Sequence, residues 1–139
     1  MKKTKRFVSF ALALAMMFTV SSFAFAEGNI IKAGTKSTPY GTLTGNILQT
    51  GTVNEWIWYG AETSINSNYS MALTYVKMDA IDNDTGALIQ SDSDARYDKN
   101  YAFCDVDVDR TVYQDVTLYT THEVTYTTSY VLYMYHHVG

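Results

Sequence analysis

Three short stretches of this 139-residue chain carry side chains whose types and spacing could do chemistry. In NEWIWYG, residues 54–60, Trp56 and Trp58 stand two apart, followed at once by Tyr59. An extended backbone sends alternate side chains to opposite faces, so the two tryptophans would share one face and Ile57 and Tyr59 the other. Flat rings on an open face can stack on sugar rings, and Trp56, Trp58 and Tyr59 are the candidate ligand-binding residues. The competing role for a tryptophan in such a protein is to plug the core. In CDVDVDR, residues 104–110, Asp105, Asp107 and Asp109 fall on one strand face, about 6.6 Å apart. That spacing could serve a cation or a glycosidase pair. Three evenly spaced like charges suit a solvated, aggregation-resistant face better.

The third stretch is the ending, EVTYTTSYVLYMYHHVG, in which no side chain from Tyr130 to Tyr135 is charged. Tyr130, Leu132 and Met134 share a face that fits a core. Burial would contribute about 1.5–3 kcal/mol per large apolar side chain, and an isolated strand of this make-up would invite aggregation. The expectation is therefore an interior strand paired on both sides. Adjacent His136 and His137 point to opposite faces and cannot chelate one ion together. A metal site would need His122, Glu123 or an aspartate to converge on one of them, and no such spacing is visible. Asp82, Asp84, Asp92, Asp94 and Asp98 fall in expected loops, where secreted β domains build calcium sites, but the EF-hand pattern is missing. A weak loop calcium site is the most these acids suggest; otherwise no metal and no cofactor is expected.

No nucleophile elbow, zinc-protease helix, phosphate loop or dinucleotide glycine pattern occurs, and enzymatic activity is not expected. Cys104 is the only cysteine. An intramolecular disulfide is thereby ruled out, and a small buried apolar role is expected for the thiol.

The elements that must position these residues begin after a leader. Lys2, Lys3, Lys5 and Arg6 precede an uncharged run from Phe7 to Ala26 that closes on Ala24-Phe25-Ala26. Basic, apolar, then small-x-small is the order of a secretory signal peptide, here of bacterial style, with cleavage expected after Ala26. Four of the ten basic residues leave with it while all 14 acidic ones stay, so the formal charge moves from −4 to −8. An acidic domain repels phosphate backbones, so nucleic acid is not an expected partner.

Residues 27–39 read as a leader or linker with a possible short strand at Ile30–Lys32, and residues 40–139 as one domain. Tyrosine, threonine and valine are abundant and Pro39 is the only proline, a composition suited to a pleated sheet. No three-turn helical stripe appears. Strands are expected at 42–49 (broken or bulged at Gly45-Asn46), 53–59, 69–81, 87–90, 101–109, 111–119 and 124–136. Turns are expected at Thr50-Gly51, in GAETSINSN (60–68), at DNDTG (82–86), in SDSDARYDKN (91–100) and at Thr120–Glu123. Seven or eight short strands with such spacing describe an all-β, antiparallel two-sheet sandwich of the immunoglobulin-like kind. A small exported sandwich without catalytic motifs reads as a binding or interaction protein for a carbohydrate or protein at a cell surface. The alternative is a secreted bacteriocin or β-hairpin pore former, suggested by the Thr/Ser/Tyr alternation over 111–136; only that alternative brings a membrane partner. The oligomeric state is left open.

Overall fold

The structure, a computed structural model, describes residues 28–139; the leader and its cleavage site lie outside them. Eight antiparallel strands follow in order: β1 (Asn29–Thr38), β2 (Gly41–Val53), β3 (Trp56–Asn66), β4 (Leu73–Asp82), β5 (Leu88–Tyr97), β6 (Tyr101–Asp109), β7 (Val116–Thr125) and β8 (Ser129–Val138). They form two four-stranded sheets, ordered β1-β2-β3-β6 and β5-β4-β7-β8. The expected all-β two-sheet sandwich is what forms. The likeness to immunoglobulin domains is one of architecture, because three consecutive strands here meander within one sheet, unlike the ABED/CFG order. Among the described residues no helix is long and apolar enough to cross a membrane.

Period-two alternation decides what is enclosed. In β4, Thr74, Val76, Met78 and Ala80 are buried while Leu73, Tyr75, Lys77 and Asp79 are only partly covered. Ile47, Tyr59, Ala61, Cys104, Val106 and Val108 from the first sheet meet Val76, Met78, Ala80, Leu118 and Met134 from the second. Leu43, Ile65, Met71 and Val124 close one end. Cys104 is buried in this core and forms no disulfide, in the apolar role expected of it.

Several boundaries differ from the sequence expectation, always because tertiary pairing overrode polar composition. The segment read as a leader is β1, ten residues long and paired with β2. Gly45-Asn46 causes no break; the irregularity in β2 comes between Gln49 and Gly51, so Thr50-Gly51 is a bulge rather than a turn. The chain reverses at Asn54-Glu55 instead, with Asn54 in the left-handed region at φ 54°. GAETSINSN is the second half of β3 as far as Asn66, and SDSDARYDKN is β5 up to Tyr97. Thr120–Glu123 lies in the middle of β7, and the true turn is Tyr126–Thr128. DNDTG is the expected hairpin turn: Gly86 N–H donates to the Asp82 carbonyl at 2.7 Å, and the Asp82 carboxylate accepts from Asp84 N–H and the Thr85 hydroxyl.

The main reversal concerns the tyrosine-rich ending. β8 pairs with β7 alone and forms the outer edge of its sheet, not an interior strand. Met134 is buried as expected, but Tyr133 is 76% and Tyr135 66% exposed. The sequence pattern set the faces correctly; strand order, which alternation does not encode, put this segment at a border.

The two sheets are joined at both sides. β1 lies over β8, with the Lys36 ammonium donating to the Val131 carbonyl at 2.9 Å. On the other side β5 docks on β6 through a row of side chains. Gln90, Asp92 and Asp94 accept from the N–H groups of Asp107, Asp105 and Phe103 at 2.7, 3.1 and 3.2 Å. Positions two apart on each strand match in period, so three acceptors satisfy three edge amides.

Candidate functional site

The outward face of β3 and β6 brings together residues that the sequence offered separately. The register pairs Trp56 with Asp109 and Trp58 with Asp107. Alternation from the inward-facing Tyr59, Ala61, Val106 and Val108 puts both tryptophans and both carboxylates on the outer side of the sheet. Trp56 is 43% exposed and Trp58, Asp107 and Asp109 are partly covered. Asp109 is also a turn-former: its carboxylate accepts from the Thr111 amide and hydroxyl at 2.9 and 2.6 Å.

The third candidate, Tyr59, is not on this face. It is 3% exposed and packs in the core, since an odd position on β3 points between the sheets. Burial raises its phenol pKa, partly offset by the nearby Arg110 charge. Of the ligand candidates, then, the structure keeps Trp56 and Trp58 on an accessible face and withdraws Tyr59.

The same face continues down β3 to a buried polar group that sequence reading missed. Next to Trp58 comes Gly60, where a methyl would meet the Phe103 ring at 2.6 Å; the missing side chain leaves room for that ring. Beyond it Glu62 accepts from Asn46 Nδ2 at 2.6 Å and from the Tyr101 hydroxyl at 3.2 Å. Burial pushes the Glu62 carboxyl up to about 7, against the two hydrogen bonds that favour its charge. Tyr101 is raised too, by burial first and then by the Glu62 charge. Glu62 is 1% exposed, so the trio ties β2, β3 and β6 together and is closed to a dissolved substrate. A signal for it existed: Tyr59, Ala61 and Ile65 keep an apolar alternation running through the stretch read as a turn.

Asp105 also departs from expectation. A solvated acidic face was foreseen for Asp105, Asp107 and Asp109, yet Asp105 is 6% exposed. The row of acids is uneven: Asp107 and Asp109 are partly covered and Asp105 is buried, at the point where its N–H meets the β5 clasp.

The buried histidine is a core element. His122 is fully enclosed between the sheets, with Nδ1 2.8 Å from Thr63 Oγ1 and Nε2 2.9 Å from Thr120 Oγ1. The Thr63 hydroxyl donates to the Tyr75 carbonyl at 3.0 Å. Burial lowers the imidazole to about 4. Both ring nitrogens being engaged, His122 is no partner for His136 or His137. His137 pairs instead with Asp115 at the surface. Among the described residues no three acids, histidines or cysteines gather as a metal site.

Tyrosines gather in two further places. Tyr40, Tyr69, Tyr126 and Tyr130 interlock at one end, with centroid distances of 5.1 to 5.8 Å, tying the β1–β2 and β7–β8 turns to the approach to β4. Tyr119 and Tyr135 lie 6.3 Å apart on the outer face of the second sheet, next to Tyr133.

No protein-family model matches this chain, and no curated protein matches it.

Proposed function

We propose that the chain is exported from a bacterial cell and acts as a small binding module that recognises carbohydrate at a cell surface. The observation that carries this reading is the register of β3 and β6, which sets Trp56 beside Asp109 and Trp58 beside Asp107 on one outer face. A sugar presents an apolar C–H face and a rim of hydroxyls. Indole rings stack on the first, and carboxylates accept hydrogen bonds from the second. The basic-apolar leader supports export, and the acidic balance of the remaining chain favours a neutral or cationic glycan over an anionic one. Catalysis plays no part in this reading.

A glycan array tests it. The wild-type chain should bind a defined set of glycans, and Trp58→Ala and Asp107→Asn should abolish the signal while keeping the thermal transition. Binding retained by both folded variants, or no binding by the wild type, overturns it. The runner-up, a pore-forming hairpin, would have to free β7 and β8 from a core in which Val116, Leu118, His122 and Val124 are buried. Dye release from liposomes at neutral pH is expected to be absent; robust leakage would promote that runner-up instead.

A further inference from the structure

Four strand edges border the two sheets, and three of them are occupied or guarded. β6 has the N–H groups of residues 103, 105 and 107 taken by side chains of β5. β5 itself carries Asp92, Asp94 and Arg96, which discourage a neighbouring strand. β1 carries Lys32 and Lys36 and a register irregularity at residues 30–32. β8 differs: from Ser129 to Val138 it has no acid, lysine, arginine or proline and no bulge against β7, and Lys36 of β1 occupies it only near its start, at the Val131 carbonyl.

Its free backbone groups follow from one hydrogen bond. The Val131 carbonyl faces outward, because Lys36 from β1 reaches it. In an antiparallel strand a residue's N–H and C=O point the same way and alternate along the chain. Tyr133, Tyr135 and His137 therefore present both groups to the free edge, while residues 132, 134 and 136 bond to β7. The inward-facing Tyr130 and Leu132 beside them are only half-buried.

We propose that β8 pairs with β8 of a second copy of this chain, antiparallel about a two-fold axis, to make one sheet of eight strands. The occupant is a second copy because the edge is self-complementary. Centring the axis on Met134 pairs Tyr133 with Tyr135 of the partner and Tyr135 with Tyr133 of the partner, each exchanging two backbone hydrogen bonds. The rings of Tyr119 and Tyr135 then continue into the partner's Tyr133, and Leu132 of each copy gains cover. Charge does not oppose the contact, although the chain as a whole is acidic: the acids of the second sheet lie on β4, β5 and β7, not on the joining strand. This assembly rests on the edge geometry alone and is independent of the carbohydrate reading. In it the tryptophan faces of both copies stay open.

Sedimentation of the purified chain tests the pairing. At micromolar concentration the wild type should run at twice the chain mass, and the double variant Tyr133→Lys, Tyr135→Lys at the chain mass. Both side chains point to solvent, so the variant should keep the wild-type far-ultraviolet spectrum. As a second measurement, Trp56→Lys on the opposite sheet should leave the dimer intact. A monomeric wild type across the micromolar range overturns the proposal. So does a dimer that survives the two lysines or is lost with Trp56→Lys.

Discussion

Replacing the buried imidazole tests whether His122 is held neutral between the sheets. His122 titrates at about 4 in the folded chain, against an ordinary 6.5, with burial as the cause. Between these values the unfolded chain binds a proton that the folded chain refuses, so stability rises with pH across the window and is lost as pH falls. A gap of two and a half pH units corresponds to about 3 kcal/mol. Glu62 acts in the opposite sense: raised from 4.5 to about 7 by burial, it keeps a proton that the unfolded chain releases, so its contribution falls as pH rises. The two slopes overlap and oppose, so the wild-type profile should be nearly level between pH 4.5 and 6.5. His122→Gln should remove one slope and leave the other. Urea unfolding at several pH values should then show the variant losing stability as pH rises through that window, by about 3 kcal/mol in total. Lost packing lowers the variant at every pH alike and does not enter the slope. A variant whose profile runs parallel to the wild type would refute the reasoning.

Two further perturbations probe the frame. Gly45→Ala would place a methyl 2.6 Å from His122 Cδ2, against a ring pinned by two hydroxyls, and should cost about 1–3 kcal/mol in chemical denaturation. Gly34→Ala meets only the end of the flexible Met134 side chain, at 2.9 Å, and should cost clearly less; equal losses would count against the pinned ring. Asp92→Ala removes the acceptor of the Asp105 N–H at the β5–β6 clasp and should lower stability by about 1–3 kcal/mol, with faster hydrogen exchange at Asp105. Unchanged exchange there would show that the clasp does not hold the edge.

Side-chain alternation is local, and wherever it was apolar the sequence alone determined the outcome. β4 was legible as a strand with an inward row because Val76, Met78 and Ala80 alternate with Tyr75 and Lys77, and Tyr130, Leu132 and Met134 were legible as one inward-facing row. The antiparallel sandwich followed from many such strands and from DNDTG, whose turn chemistry lies within five residues. Trp56 and Trp58 on a common face were legible for the same reason. Other features depended on partners distant in the chain. GAETSINSN looked like a turn because Glu62 and Thr63 are polar; only Asn46, Tyr101 and His122, brought in from other strands, make them inner residues. SDSDARYDKN looked like a loop because the carboxylates of Asp92 and Asp94 have no visible use until β6 lies alongside. Tyr59 changed from ligand candidate to core residue once the inward side of β3 was known. The same holds for the chain ending: alternation names the faces of a strand, but whether that strand has one neighbour or two is a property of sheet order, which only long-range pairing decides.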